Sequence, residues 1–552
     1  MPIRWAYLKR VLAGAIFGLY MAHLLYFLNP QVDITPGRLA TVTILYGLIC
    51  GFLFGSILWG LRAIRVRMFG KPASEGPYRA HGFGFVVFAA FIASAIYWIH
   101  LNVFQIYLPR GAVRILSKAT NAIAVTAFLL RLIWVVERNA NRRTSRFLFL
   151  AGVVLIAGSS ILLYERRDSY RTERRDVVVA NIGAVAGHRP VIVVAIRNLP
   201  YDWIVTMKGE GLLPWLDQTT QRTYFTRLEP FETSSPKALW ASLATGKLPS
   251  RHGVTGRFSY RTPLNGADPS ERFLLLPSGV GFQAWGLIPP VQRISAQLPA
   301  GDALPLWTLF ERLDLHASVV AWPSSRESGA TRVITDRAIV QSVNAPLDPA
   351  IALRFERTNA ERTRITTALG NDMESASQLR GTFALEVLAL EGFADAQKAL
   401  HVFSNVLPDR GTTNGDALRA YAQQLDNVLA GIAKRNPEHL IVVCSPSGVV
   451  PPDLPVDIWS IAVRRFWRSD PGADDGFVLL AGADIAHEEN PQSAYVTDVV
   501  PTVLFAAGLP VGRDMDGRIL TDAFVDEFLR RNALSAIQTY EAKQVVVRRA
   551  NG

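Results

Sequence analysis

The chain has 552 residues, which is too long for one ordinary domain, and 49% of them are hydrophobic, which indicates a membrane part. Its net charge of +12 is unevenly distributed: residues 1–189 contain 23 Lys and Arg against 7 Asp and Glu, a balance of +16, whereas residues 190–552 carry −4. The basic excess therefore flanks the apolar stretches of the chain, and this excludes a nucleic-acid partner, which would require a basic patch on the globular part.

Five apolar stretches, each close to the ~20 residues that cross a bilayer, occupy residues 11–28, 39–60, 82–107, 119–136 and 147–163. The first resembles a signal peptide, but no small-residue cleavage site follows it and further stretches do. The fourth is the weakest, because Thr120, Asn121 and Arg131 interrupt it. We expect Arg131 to face the helix bundle or to snorkel, and a functional charge inside the membrane is the alternative.

Basic residues predict the orientation of these five spans in a cytoplasmic membrane of the bacterial type. They are concentrated at the N-terminus and in the second and fourth loops, as Arg4, Lys9, Arg10, Arg62, Arg65, Arg67, Lys71, Arg79, Arg138, Arg142, Arg143 and Arg146. Since loops rich in Lys and Arg stay in the cytoplasm, the N-terminus is predicted to be cytoplasmic. Five crossings then place residues 164–552 outside, in the periplasm, with the lipid bilayer as the first partner.

From about residue 190 the pattern changes to short β-branched runs that alternate with amphipathic helical stretches. The runs VIVVAI, HASVVAW, LHVFSNV, HLIVVCS and GFVLLAG are typical of buried strands, and LPLWTLFERL, GDALRAYAQQLDNVLAGIAKR and TDVVPTVLFAAG of helices. This alternation predicts an α/β domain with a mostly parallel central sheet flanked by helices. The predicted organisation is a five-helix membrane domain (1–163), a charged juxtamembrane linker (164–189) that begins with a solvated helix, the α/β domain (190–530) and a C-terminal tail (531–552).

Two long motifs in the α/β half resemble a known family. SSPKALWASLATGKLPSRHGVTG, residues 234–256, is similar to the nucleophile segment of the type I phosphodiesterase/nucleotide pyrophosphatase group of the alkaline-phosphatase superfamily. YVTDVVPTVLFAAGLPVGRDMDGRIL, residues 495–520, looks like the C-terminal signature of the same group, and VVAWPSS and YAQQLDNVLAGI also fit it. The resemblance covers roughly residues 190–525 and implies an alkaline-phosphatase-like fold.

The resemblance also implies two metal ions, usually zinc, that activate a Ser or Thr nucleophile, but the ligand positions are changed here. Where the family has Asp-Gly after its first strand, this chain has Arg197-Asn198. The other positions fall on Ser445-Pro446-Ser447-Gly448 in place of Ser-Asp-His-Gly, on Leu407 and Gly411 in place of an Asp and a His, and on Gly472 in place of a His. We therefore expect no metal and no cofactor, because these residues cannot supply the clustered Asp and His that zinc requires.

A shifted alignment is the alternative, since Asp409, Asp470, Asp474 and Asp475 lie near the changed positions. The histidines argue against it. His252 matches a family His-Gly outside the metal set, and the sequence places His188, His401 and His439 at or just before strand starts and His316 and His487 at helix ends or in loops. None of them follows a predicted strand beside an Asp, where the ligands of an α/β site collect.

Ser235 is the best match for the family nucleophile, and Ser234 is the alternative. Ser235 precedes Pro236, so it is also a typical helix N-cap, and without a metal or a base a serine is a poor nucleophile. Arg197, with Asn198 as a neutral donor, brings a positive charge to a former metal position. It is expected either to bind an anion such as phosphate or a phospholipid head group, or to pair with a neighbouring acid.

These observations predict a membrane-anchored pseudoenzyme that binds, scaffolds or serves as a subunit of a membrane complex. The alternative is an active phosphodiesterase or phosphotransferase that acts on phosphate esters or lipid head groups outside the membrane. Five spans followed by an outer domain of this superfamily resemble the layout of phosphoethanolamine and lipoteichoic-acid transferases, an analogy of architecture alone. A transporter-like role for the helices is supported only by Arg131.

Overall fold

The computed structural model describes most of the chain, in segments. The described residues are 3–29, 35–37, 40, 43–69, 81–108, 112–137, 142–165, 167, 179–182, 188–231, 235–256, 258–261, 292–296, 298, 303–323, 329–334, 359–450, 474–542 and 544–547. Their contacts divide the chain into two compact units: Met1–Arg174 with Tyr260–Ile294, and Arg175–Ser259 with Ser295–Gly552. Most of the predicted juxtamembrane helix in the linker lies outside the described residues.

Long helices make up the first unit, and each of the five predicted spans overlaps one of them. They are α1 (Ile3–Leu28), α2 (Ile49–Phe69, preceded by a π-helical turn at Thr43–Leu48), α3 (His81–Val103), α4 (Ala112–Glu137) and α5 (Arg142–Glu165). Three segments are long and apolar enough to cross a membrane: Val86–Val103, Val113–Val136 and Arg146–Glu165. The apolar stretches of α1 and α2, Gly14–Leu28 and Gly51–Leu61, are shorter. Membrane-capable helices are thus present, while the number of crossings and their orientation remain predictions.

Glycines on α2 allow it to pack closely against α1. A Cβ atom added to Gly51 would lie 2.8 Å from the carbonyl oxygen of Val11, and one added to Gly55 would lie 2.5 Å from a methyl carbon of Val11. Gly60, further along α2, has no atom within 4 Å of its Cβ position. Small residues spaced four apart are a common way for membrane helices to approach each other, and here the spacing is used within one chain.

Polar side chains also join the helices of this unit. The hydroxyl of Tyr20 on α1 contacts the hydroxyls of Thr126 on α4 at 3.3 Å and Ser159 on α5 at 3.1 Å. Arg131 is exposed on α4, and its guanidinium lies 4.4 Å from the ring centre of Trp134. The structure thus places Arg131 on the outer surface of its helix and not inside the bundle, and its snorkelling stays a prediction.

The second unit is built on an eight-stranded sheet with the order β11-β3-β10-β9-β2-β8-β6-β7. Its strands are β2 (Val191–Ile196), β3 (Tyr224–Glu229), β6 (Ala317–Val320), β7 (Arg332–Ile334), β8 (Leu385–Leu390), β9 (Leu440–Ser445), β10 (Gly476–Ala481) and β11 (Ala494–Tyr495). Strand β10 runs antiparallel to both of its neighbours, and the other five pairings are parallel. The sheet is therefore mixed, and the predicted mostly parallel arrangement is confirmed in this coarse form.

Helices flank this sheet and bury its apolar strands. They are α6 (Tyr201–Gly209), α7 (Pro214–Thr220), α8 (Pro236–Thr245), α9 (Pro249–His252), α10 (Leu306–Glu311), α11 (Asn359–Ser377), α12 (Gly392–Ala399), α13 (Thr413–Arg435), α14 (Val499–Ala506) and α15 (Asp526–Arg531). Strands β2, β8 and β9 are buried at every residue, which explains their continuous β-branched runs. The three helices predicted in this half correspond to α10, α13 and α14.

One strand prediction was wrong, and strands β3, β7, β8 and β11 of the sheet were missed. Residues 400–406, LHVFSNV, form a turn and a loop after α12, in which Leu400 and Val402 are buried and His401 takes a φ of 53°. His401 therefore does not precede a strand. The missed central strand β8 contains a charge, Glu386, which is fully buried because its carboxylate accepts bonds from the backbone N–H groups of Arg380 and Thr382.

Three short strand pairs of the described residues are separate from the central sheet. Strand β12 (Val511–Gly512) pairs with β13 (Ala536–Ile537), and β1 (Val179–Ile182) pairs in parallel with β14 (Gln544–Val547). A further pair is formed by β4 (Phe258–Arg261) and β5 (Gln292–Ser295). Residues that the sequence assigned to a linker and to a C-terminal tail are thus joined in β1 and β14.

Candidate functional site at the carboxyl edge of the sheet

The strand directions bring the predicted site residues to one edge of the sheet. Strands β2, β8 and β9 are parallel neighbours, so the segments that follow Ile196, Leu390 and Ser445 leave the sheet at the same edge. Strand β3 runs in the same direction, because β10 is antiparallel to both β3 and β9. The start of β10 therefore lies at this edge too, immediately after Asp474 and Asp475.

Arg197 is held at this edge by an ion pair. Its backbone N–H donates to the carbonyl of Leu390 at 2.9 Å, and its Nη1 lies 3.1 Å from Oε1 of Glu391. The two side chains are partly buried, with exposed fractions of 24% and 32%. Glu391 follows β8 as Arg197 follows β2, so the two parallel strands present opposite charges side by side. Arg197 therefore has the second of its two expected arrangements, an ion pair with a neighbouring acid.

Asn198 makes the turn that carries Arg197. Its φ is 60°, in the left-handed region, which glycine adopts freely and which asparagine tolerates better than most residues. The side chain of Gln397 donates to the Asn198 carbonyl at 3.0 Å, and Asn198 is itself buried. A residue able to adopt this conformation is needed here, in agreement with the glycine that the family resemblance places at this position.

The segment after β9 is packed against the same turn. The Ser445 hydroxyl accepts from the N–H of Leu199 at 3.2 Å and donates to the carbonyl of Ser447 at 2.7 Å. A Cβ at Gly448 would lie 2.4 Å from the Cβ of Asp474. Ser445 is thus engaged in holding the loop.

These residues do not fit a zinc site. Arg197 is a permanent cation, Pro446 has no side-chain donor atom, and the Ser445 hydroxyl is already bonded within the loop. Asp475, whose pKa is raised by burial, lies 3.5 Å from Arg227, which also pairs with Asp202. Within the part of the chain that the structure describes, no group of three or more His, Cys, Asp or Glu side chains could hold a metal ion.

The remaining proposed ligand positions add no donors. Leu407 and Gly411 lie in the loop between α12 and α13, where Asp409 is exposed and accepts bonds from Thr412 through its backbone carbonyl. Gly472 and Asp470 lie outside the described residues. Of the histidines, His252 is fully buried and its Nε2 contacts the Ser242 hydroxyl at 2.9 Å. That contact belongs to the core around α8.

Ser235 is the N-cap residue of α8, as the sequence predicted for a structural role. Its backbone is extended (φ −79°, ψ 137°) and Pro236 occupies the first helical turn, but the hydroxyl makes no capping bond. The Ser235 carbonyl accepts from the N–H of Leu239 at 3.0 Å. Its place after β3 puts the helix start on the carboxyl side of the sheet. The alternative nucleophile, Ser234, lies outside the described residues.

The two long motifs meet at the other end of α8. Gly246 ends this helix with a φ of 65°, and its carbonyl accepts from the N–H of Asp516 at 3.0 Å. The N–H of Leu248 in turn donates to Oδ2 of Asp516 at 2.9 Å. Next to them, Lys247 is buried and its Nζ lies 2.6 Å from Oδ2 of Asp514. The residues that carry the family resemblance thus also join these two segments, at the end of α8 opposite Ser235.

The motif YAQQLDNVLAGI also has a structural function. Its Asp426, which is 1% exposed, accepts bonds from the backbone N–H groups of Trp215 and Leu216 at 2.9 Å each. N–H groups in the first turn of a helix such as α7 have no partner within the helix. A carboxylate is therefore favoured there by both hydrogen bonding and the helix dipole. Burial raises the pKa of Asp426, while the two N–H bonds oppose that shift.

A buried network that sequence reasoning missed positions Glu391. Asp372 on α11 is 3% exposed; its Oδ1 accepts from the N–H of Gly392 at 3.1 Å and its Oδ2 from the Tyr421 hydroxyl at 2.8 Å. Gly392 begins α12 directly after Glu391, and a Cβ there would lie 2.1 Å from the Tyr421 hydroxyl. Burial raises the pKa of Asp372 to about 7 against the lowering effect of these bonds. Asp372 lies in a polar helix, residues 359–377, and nothing in the sequence pattern indicated that it helps to position Glu391.

Comparison with known proteins gives distant structural similarity. No protein-family model and no curated protein sequence matches the chain. Among solved structures it is similar to a 2-O GAG sulfatase (14% identity, 60% of this chain and 73% of that one, TM-score 0.39). It is also similar to an alkaline-phosphatase superfamily protein from Vibrio parahaemolyticus (14%, 63% and 74%, TM-score 0.35) and to murine ectonucleotide pyrophosphatase/phosphodiesterase 5 (11%, 58% and 95%, TM-score 0.35). Similarity at these scores does not indicate the chemistry of this chain.

The first prediction concerns the ion pair at the edge. Replacing Arg197 by Ala should lower the free energy of unfolding by about 1–2 kcal/mol, between the values for exposed and buried pairs, because it leaves Glu391 half-buried without its partner. Lys398→Ala, which breaks an exposed pair with Asp395 (51% and 55% exposed), is the control and should cost less than about 1 kcal/mol. Thermal melts with and without phosphate measure both. An unchanged melting temperature for Arg197→Ala, with a phosphate-dependent rise in the wild type alone, would instead show a free anion site.

The second prediction concerns Asp372. Because its pKa is raised in the folded state, the folded protein binds a proton that the unfolded chain has lost between about pH 4 and pH 7. Stability should therefore fall as pH rises through this range, by at most about 1.4 kcal/mol per pH unit, and level off above it. Asp372→Asn keeps an acceptor for Gly392 and should remove this slope. Glu374→Gln, two residues along α11 and bonded to Gln378, should retain it. Equal slopes in all three proteins would contradict the prediction.

Proposed function

We propose that this protein is a membrane-anchored, catalytically degenerate member of the alkaline-phosphatase-like proteins, and that its outer domain binds or scaffolds instead of turning over phosphate esters. Membrane-capable helices in the first unit and a mixed sheet flanked by helices in the second support the architecture. The sequence motifs at residues 234–256 and 495–520 support the family assignment. Its partners would be the bilayer and other subunits of a membrane complex.

The Arg197–Glu391 pair is the observation that carries this proposal. The carboxyl end of β2 is where the resemblance puts a metal-binding carboxylate, and here it carries a guanidinium 3.1 Å from an acid on the neighbouring strand. A guanidinium can mimic the charge of a cation but cannot lower the pKa of a serine hydroxyl as a bound zinc ion does. Ser235 would then have a helix start beside it but no activating group.

An anion remains the ligand class that the edge could accept. Arg197 has donors besides the Nη1 that faces Glu391, and its buried Nε has no hydrogen-bond partner among the described residues. Phosphate or a phospholipid head group would compete with Glu391 for the same guanidinium. Such binding would be weak, because the ion pair already neutralises most of the charge.

The proposal is tested by turnover of a generic phosphodiester such as bis(p-nitrophenyl) phosphate. The purified full-length protein, with and without added zinc, should hydrolyse it no faster than the Ser235→Ala variant does. Thr245→Ala, which changes a hydroxyl at the far end of the same helix, serves as the control for general effects on α8. Zinc-dependent turnover that Ser235→Ala abolishes and Thr245→Ala keeps would establish the alternative, an active phosphodiesterase or phosphotransferase.

The proposed location is tested by protease protection. With the N-terminus in the cytoplasm and five crossings, protease added to intact spheroplasts should degrade residues 164–552 while a cytoplasmic marker protein survives. The physical reason is the basic bias of the N-terminus and of the second and fourth loops. A domain that is degraded only after the membrane is opened would mean an even number of crossings.

A further inference from the structure

The last residues of the chain lie across several elements of the second unit. After β13 pairs with β12, the Tyr540 hydroxyl donates to the carbonyl of Pro510 at 2.6 Å, and Tyr540 is 1% exposed. The guanidinium of Arg312 donates to the carbonyls of Tyr540 and Ala542, at 2.6 Å each. Residues 536–542 and 544–547, here called the C-terminal strap, are therefore fixed by both side-chain and backbone bonds.

The middle of the strap binds the end of α8. Oε1 of Glu541 lies 2.7 Å from Nζ of Lys247, and Thr539 donates its hydroxyl to Asp514 at 3.0 Å. Lys247 is two residues beyond α8, and its side chain is 4% exposed. A buried ammonium needs both carboxylates to offset the loss of its hydration. Burial tends to raise the pKa of Asp514, but Lys247 and the bonds from its other neighbours outweigh it, so that the pKa lies below its ordinary value.

The end of the strap binds the first strand that follows the membrane helices. Gln544–Val547 pair in parallel register with Val179–Ile182, from Val179 opposite Gln544 to Ile182 opposite Val547. This two-stranded sheet is separate from the central one. In the sequence, β1 is joined to α5 by residues 166–178, so any pull on the chain from the membrane side reaches β1 first.

We infer that the C-terminal strap couples β1 to α8, so that a displacement of the juxtamembrane segment is transmitted to the helix whose N-cap residue is Ser235. The path runs from β1 through β14 to Glu541, across the ion pair to Lys247, and through Gly246 into α8. It passes beside the central sheet, and strands β2 and β9 are not part of it. The strap makes the outer domain responsive to the membrane side independently of whether the edge binds a ligand or is catalytic.

Amide hydrogen exchange of the full-length protein in nanodiscs tests this coupling. Ala180→Pro removes a backbone donor from β1 and should open the β1–β14 pair. Exchange in residues 236–245 should then rise about tenfold, as expected for a loss of about 1.4 kcal/mol of local protection, while β2 and β9 exchange as in the wild type. If 179–182 and 544–547 exchange fast but 236–245 does not change, the coupling is refuted.

A second variant tests the path in the opposite direction. Glu541→Gln keeps the shape of the side chain and removes one of the two charges that hold Lys247, so exchange should rise in both 236–245 and 544–547. Glu527→Gln, an exposed acid paired only with Arg531 among the described residues, is the matched control and should change neither. In the Glu541→Gln protein, Ala180→Pro should have no additional effect on 236–245. Faster exchange confined to the residues around 247 and 541 would show a local contact without transmission and would overturn the inference.

Discussion

A buried ammonium group joins distant segments of the second unit. Lys247 has a relative exposure of 3% and would be strongly unfavourable there without Asp514 and Glu541, which come from segments more than 250 residues further along the chain. The end of α8, the segment after α14 and the C-terminal strap therefore meet around the ammonium group of Lys247. At its other end, α8 begins after Ser235, in the segment that follows β3.

At the carboxyl edge of the sheet, several charged and polar side chains are engaged in contacts within the protein. Arg197 pairs with Glu391, Ser445 holds the turn at Leu199, and Asp475 pairs with Arg227. The buried carboxyl of Asp372 accepts hydrogen bonds from Tyr421 and from the backbone N–H of Gly392. Because Gly392 directly follows Glu391, these bonds help to position the acid of the ion pair. These compensated charges support the proposal that the edge provides a stable surface or a weak anion site and does not activate a nucleophile.

The sequence was informative where one physical cause dominates. Continuous β-branched runs predicted β2, β9 and β10, because a strand that is buried on both faces consists almost entirely of apolar residues. The Ser-Pro pair predicted the start of α8. Prediction failed where a tertiary contact overrides the local pattern. Glu386 interrupts an apolar run, yet backbone donors solvate it inside β8, and LHVFSNV alternates like a strand although the core buries its Leu400 and Val402 from a loop. The partner of Arg197 could be anticipated as an acid, but its identity depended on recognising β8.

The metal content of the purified protein tests the central claim most directly. Full-length protein, prepared without chelators and dialysed against zinc, should contain far less than one zinc ion per chain by mass spectrometry of the digested sample. Arg197→Ala should not raise that value, because removing the guanidinium does not supply the missing ligands. Two tightly held zinc ions per chain would contradict the account and show that other side chains of the protein complete a working metal site.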